Sequence, residues 1–222
     1  MFHDYGVIFD MDGVLVDTGP IHFESWVKMA NEIGKKFTKD FFNKTFGEQS
    51  IPITRKLLGA KVEPHLVEKW ANLKEQYYRE MIRDKLKPSP GVLDLIKDLK
   101  DNNFKMAVGS SGPPENVELT LTSLKINDFF DVVITAAEVE KSKPEPDVFL
   151  IAAEKLRINP ENCVVIEDAP VGITAGKRAG MKVIALRTTL CNVELLDADL
   201  VVPNLSFIKL NDIIKILDLD VE

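Results

Sequence analysis

Short apolar runs alternate along the chain with longer stretches whose apolar residues recur every three or four positions. Residues 5–9, 105–108, 131–134, 162–166, 182–186 and 200–202 are nearly continuous runs rich in Val and Ile. Such runs read as strands buried on both faces. Between them, helical periodicity covers 92–100, 114–124, 147–156 and 171–179, and Gly180 supplies a stop signal for the last. Strand, helix, strand, helix is the rhythm of a parallel sheet covered on both sides. The pattern predicts a doubly wound α/β core.

One stretch breaks the rhythm. Residues 17–86 contain no convincing strand and carry helical stripes instead: Phe23, Trp26, Ala30 and Ile33 in one, Val67, Trp70, Tyr77 and Met81 in another. An insertion of this length far exceeds an ordinary strand-to-helix loop. It predicts a small helical domain placed after the first strand. Pro88-Ser89-Pro90-Gly91 marks the return, so the expected division is a core of 1–16 and 87–222 with a helical domain of 17–86.

Composition narrows the class. The 222 residues carry a net charge of −7, which argues against a nucleic-acid or anionic-membrane surface. Cys163 and Cys191 form no disulfide framework and no metal-ligand spacing, and they fit a reducing compartment. The start of the chain has no basic segment followed by an apolar one, and no apolar run approaches the ~20 residues of a membrane helix. A cytoplasmic monomer that binds neither nucleic acid nor membrane is expected.

Open α/β sheets bind ligands outside the carboxyl ends of their strands. The first strand ends in Asp10-Met11-Asp12-Gly13 and the second in Gly109-Ser110-Ser111-Gly112. The third leads to Lys141-Ser142-Lys143-Pro144, and the fourth ends in Glu167-Asp168-Ala169-Pro170. Taken singly, Asp12-Gly13 is a turn signal, Ser110-Ser111 a helix cap and Lys143 a solvated lysine. Together they bring carboxylates, hydroxyls and a lysine to one edge, an inventory suited to phosphoryl transfer. A carboxylate attacks phosphorus, hard oxygens hold Mg²⁺, and a lysine and a hydroxyl hold the remaining phosphate oxygens.

These residues also carry a resemblance. Asp10-Met11-Asp12-Gly13-Val14, Ser110, Lys143-Pro144-Glu145-Pro146-Asp147 and Glu167-Asp168 resemble the four ordered motifs of the haloacid dehalogenase superfamily. Asp17-Thr18-Gly19-Pro20-Ile21-His22 and Val171-Gly172-Ile173-Thr174-Ala175-Gly176 resemble its β-phosphoglucomutase and sugar-phosphatase branch, where the helical insertion is a cap. The resemblance implies Asp10 as nucleophile and Asp12 as general acid, then base. It implies Mg²⁺ held by Asp10, Asp168 and the backbone carbonyl of Asp12, with Glu167 as support or outer ligand. Ser110, Ser111 and Lys143 would bind the transferring phosphoryl group. In the cap, His22, Glu48 and Lys74 are the expected substrate contacts. Lys74 falls on an apolar stripe, where a lysine must snorkel or face a polar cleft.

The function implied is a Mg²⁺-dependent phosphatase acting on a small phosphorylated metabolite. A sugar phosphomutase is the alternative. The mutases of this branch carry an arginine after a cap Gly-x-Ser, whereas this chain reads Gly47-Glu48-Gln49-Ser50-Ile51, with no arginine before Arg55. A phospho-accepting switch is disfavoured, because such domains place the nucleophile on a later strand and lack a helical insertion.

Overall fold

The computed structural model describes residues 2–188 and 197–219; Cys191 lies outside them. The apolar runs form β1 (Gly6–Phe9), β2 (Lys105–Gly109), β3 (Val132–Ile134), β4 (Cys163–Glu167), β5 (Lys182–Leu186) and β6 (Leu200–Val202). They build one all-parallel sheet in the order β3-β2-β1-β4-β5-β6. The chain fills one side of β1 first and then crosses to the other. The order therefore reverses beside β1, and a crevice opens at the carboxyl ends of β1 and β4. Register sets what lines it. Phe9 pairs with Ile166, and the Asp10 N–H donates to the Ile166 carbonyl at 2.9 Å, so Asp10 and Glu167 emerge side by side.

Strand pleating sends Val7 and Phe9 to one apolar layer and Ile8 to the other. The first layer is covered by α5 (Val92–Asp101), α6 (Pro114–Leu124) and α9 (Leu210–Ile216). The second is covered by α7 (Asp147–Leu156) and α8 (Pro170–Arg178). The expected helices are present within a residue or so. Helix α9 was not foreseen; its seven residues are too few to show a helical period.

The insertion after β1 contains α1 (Gly19–Glu32), α2 (Lys39–Thr45), α3 (Ser50–Leu58) and α4 (Pro64–Ile82). Pro20 and Pro64 lie at the starts of α1 and α4, where a missing N–H costs nothing. An aromatic cluster of Trp26, Phe37, Phe42 and Phe46 fills the insertion, with Trp26 and Phe37 stacked at 5.2 Å. The two connecting segments run against each other. Val16 bridges Pro88, and the Ser89 N–H donates to the Leu15 carbonyl at 2.9 Å.

The buried face of α4 departs from expectation. It runs Val67, Ala71, Lys74, Glu75, Tyr78 and Ile82, while Trp70, Tyr77 and Met81 are only half-buried. The helix packs on α1 along one side and faces the crevice along another. Its most buried positions therefore include charged groups satisfied by pairing, which an apolar stripe does not register.

Candidate active site

Lys143 is the centre of the crevice floor. Its ammonium, 2% exposed, donates to Asp10 Oδ1 at 2.6 Å, to Glu167 Oε1 at 2.8 Å and to the Gly109 carbonyl at 3.1 Å. Three strand ends are thus tied to one cation. Burial opposes the charge of Lys143, but the Asp10 and Glu167 carboxylates outweigh it and raise its pKa. Asp10 shifts upward as well. Burial is the largest cause and Glu167 adds to it; Lys143 pulls the other way, and the net value is about 7.

Glu167 is fully buried and held from both ends. Its Oε2 accepts the N–H groups of Asp168 and Ala169, each at 2.8 Å, where the chain turns into α8. Asp168 Oδ2 lies 3.2 Å from the Thr188 hydroxyl, which donates to the Gly13 carbonyl at 2.6 Å. Asp10, Glu167 and Asp168 each place one carboxylate oxygen within 4.8 Å of the others. Three carboxylates against one ammonium leave excess negative charge among hard oxygen donors. That set suits a hard divalent cation.

Asp12 turns away from this cluster and up toward the insertion. Its Oδ1 accepts from Thr18 at 2.6 Å and from Tyr78 at 3.5 Å, and His22 Nε2 lies 3.1 Å away. Burial alone would raise the Asp12 pKa; His22, Thr18 and Lys74 outweigh it and hold the carboxyl below its usual range. His22 stacks on Tyr78 at 4.0 Å and receives the Lys74 ammonium on Nδ1 at 2.8 Å. An ammonium only donates, so Nδ1 accepts and the ring proton sits on Nε2, facing Asp12. The two neighbouring carboxylates are thus sorted by surroundings, Asp10 pushed up and Asp12 pulled down.

A cavity of about 50 Å³ lies between the insertion and the core. It is lined by Asp10, Asp12 and Ser111 below and by His22, Glu48 and Lys74 above, among others. The residues singled out in the sequence therefore converge. Ser110, 1% exposed, accepts the Gly112 N–H at 3.0 Å beneath Ser111. Lys74 faces the cleft, as the polar alternative required. Glu48 is half-buried and paired with Lys56 at 2.6 Å. Sequence reasoning missed Thr18, Tyr78, Glu75 and Thr188. Two of these carried a signal: Thr18 lies within the Asp17–His22 motif, and Thr188 follows the end of β5 as the motif residues follow their strands.

Known proteins match this architecture. The family model described as haloacid dehalogenase-like hydrolase covers residues 7–186. A phosphorylated carbohydrates phosphatase of Thermotoga maritima is 34% identical over 79% of this chain and 82% of its own. A β-phosphoglucomutase of Bacillus subtilis is 35% identical over 92% of this chain and 91% of its own. The crystal structure of a β-phosphoglucomutase from Clostridium difficile superposes with a TM-score of 0.87 at 30% identity, covering 96% of this chain and 97% of that one.

Proposed function

The chain belongs to the haloacid dehalogenase-like hydrolases, and from that premise we propose a Mg²⁺-dependent phosphatase that hydrolyses a small phosphorylated metabolite, a sugar phosphate or similar, through an aspartyl-phosphate on Asp10. The observation that carries the reading is Lys143 bridging Asp10 and Glu167 beside Asp168, with the Asp12 carboxyl held above. Residues 17–86 act as the cap. Asp10, Asp168 and the Asp12 carbonyl would hold the cation, which would screen the charge of the nucleophile and of the transferring phosphoryl group. Glu167, committed to Lys143 and two backbone N–H groups, acts as the support that positions them.

In the first step an Asp10 oxygen bonds to phosphorus and the ester P–O bond breaks. Asp12 gives its proton to the departing oxygen. The substrate-free carboxyl is held ionised, and the dianionic phosphate arriving beside it raises its affinity for that proton. In the second step Asp12 takes a proton from water as the oxygen bonds to phosphorus. Inorganic phosphate leaves and Asp10 is restored. Lys143, Ser110 and Ser111 hold the phosphoryl oxygens, and the cap excludes bulk water.

A mutase would need a second site in the cap for the phosphate that is not transferred, best made by an arginine. Glu48 stands in that stretch instead. Arg55 is not among the residues that line the cavity and gives one N–H to the Val62 carbonyl, while Lys74 is held by His22 and Glu75. Lys74 is the one lysine or arginine that lines this cavity among the described residues, and no arginine stands there to grip another phosphate in a bidentate way. That supports hydrolysis, as does the relative named for phosphorylated carbohydrates. The test is release of inorganic phosphate from a panel of sugar phosphates, phosphoglycolate, glycerol phosphates, nucleotides and pyrophosphate with Mg²⁺. Release that chelator silences and Mg²⁺ restores supports the reading; no release from any member overturns it.

A further inference from the structure

The cavity of about 50 Å³ holds a few waters, well short of the roughly 300 Å³ or more of a pocket that encloses a small-molecule ligand. The insertion roofs this space, so lifting it from the core gives a substrate room to enter. Something must then favour closure, and the contacts that cross the boundary are the place to look. Gly47 is one. A Cβ there would come within 2.7 Å of Ala169 and 2.8 Å of Val171 at the start of α8, so close apolar approach is permitted but not directional.

A directional contact lies on the other side of the cleft. Asn116, on core helix α6, is 1% exposed, and both ends of its amide are taken by the insertion. Its Nδ2 donates to Glu75 Oε2 at 2.7 Å, and its Oδ1 accepts from Arg79 Nη1 at 2.9 Å. Glu75 and Arg79 are four residues apart on one face of α4. An acceptor-only carboxylate and a donor-only guanidinium fit the two ends of an amide in one orientation. Neither the α4 pair nor Asn116 is satisfied in this way once the insertion has lifted.

We propose that Glu75, Asn116 and Arg79 form the clasp that holds the cap closed, with Asn116 as the receiving group on the core. The neutral amide suits a contact that must open and reform, because it carries no charge to be desolvated at each closure. The clasp also reaches the chemistry at both ends. Helix α6 begins directly after the Ser110–Gly112 turn. Glu75 accepts from Ser50 and, at 3.0 Å, from Lys74, whose ammonium sets the His22 ring beside Asp12. Closing the clasp therefore brings the cap end of the Asp12 network into place as the cleft shuts. These are positioning residues; none is asked to touch phosphorus.

The inference rests on the cleft being the active site, so its test reads cap position and not turnover. The measurements are limited proteolysis of the connector at 83–91 and solution scattering, on the full chain without ligand, with thermal unfolding as the control for folding. Glu75→Gln sets an amide N–H₂ against a donor, either at Asn116 or at Lys74. Asn116→Asp sets two buried carboxylates together. Arg79→Met, at a half-buried site, removes the third member. Each should raise the cleavage rate by about tenfold, the factor for losing one buried hydrogen bond, and expand the particle. The double variant Glu75→Gln with Asn116→Asp exchanges donor and acceptor, so the bond reforms and Arg79 still pairs. Cleavage should return to within about twofold of the parent, a coupling that independent sites do not produce. Folded single variants that cleave no faster than the parent, or a double variant as fast as the faster single, would overturn the clasp. A phosphatase screen that failed while this coupling held would remove the proposed reaction and leave the clasp standing.

Discussion

Gly172 leaves the space that the Glu167 carboxylate occupies. A Cβ on that helical residue would overlap Oε1, the oxygen that receives Lys143. The backbone there is ordinary helix, so the requirement is room and not conformation. Gly172→Ala should therefore lose at least tenfold in kcat, because Glu167 must swing away and Lys143 is left with Asp10 and one carbonyl. Helix propensity alone favours alanine by about 1 kcal/mol, whereas overpacking costs about 1–3 kcal/mol. Thermal unfolding should show no gain or a net loss. A variant both fully active and more stable would contradict this account of the floor.

Asp10→Asn should abolish turnover, since an amide of the same size is a poor nucleophile. It should also change how stability depends on pH. The folded carboxyl is raised to about 7 from 3.8, first by burial, then by Glu167 and Asp12 against the pull of Lys143. A raised folded pKa means that stability is fully present below about pH 4 and is lost as pH climbs toward 7. In chelator, the parent should therefore lose a few kcal/mol at most across that window, at about 1.4 kcal/mol per pKa unit. Asp10→Asn should lack this component and overtake the parent near pH 7, with little advantage below pH 4. Denaturant titrations at several pH values measure it. Parallel pH profiles for the two proteins would show that Asp10 is not the buried, raised group described.

The core of the site was legible because Asp10, Ser110 and the Glu167-Asp168 pair stand at the ends of apolar runs. Once β1 and β4 are recognised as strands, Asp10, Glu167 and Asp168 must leave the same sheet edge. Lys143 was legible by motif, but its three-way tie to Asp10, Glu167 and Gly109 appears only when strands distant in sequence pair. On the cleft-facing side of α4, Lys74 was legible as a lysine on an apolar stripe, but its neighbour was not. Glu75 is buried by pairing with Lys74, and hydrophobic periodicity reads such a position as solvent-facing. Asn116 and Tyr78 carried no signal at all, since each acts across the boundary between insertion and core. His22, Glu48 and Lys74 were expected as substrate contacts, but the pairings of His22 with Lys74 and of Glu48 with Lys56 join separate helices or turns whose packing no spacing rule provides.

Asp12→Asn should leave the acidic cluster of Asp10, Glu167 and Asp168 intact, because the Asp12 carboxylate points to Thr18 and His22. Its cost should fall on proton transfer. For a sugar or alkyl phosphate, kcat should drop by about 10²–10⁴, the range for losing a general acid. For an aryl phosphate with a good leaving group, the first step should suffer less, and phospho-enzyme should accumulate because water activation fails. Rapid-quench analysis with the two substrates separates the steps. Equal losses in the first step for both leaving groups would remove Asp12 from the acid role.

On the proposed mechanism a phosphoryl group reaches Asp10 and is then given to water, not returned to the sugar. Glu48 in the cap stretch supports that fate, with Lys74 the one lysine or arginine lining the cavity among the described residues and already paired with Glu75. Phosphorus NMR of the Mg²⁺ enzyme with a hexose 1-phosphate follows both fates in one sample. A growing inorganic phosphate signal and no hexose 6-phosphate are expected, with or without added hexose bisphosphate. Efficient conversion to the 6-phosphate, dependent on the bisphosphate and with little inorganic phosphate, would overturn the phosphatase assignment in favour of a mutase.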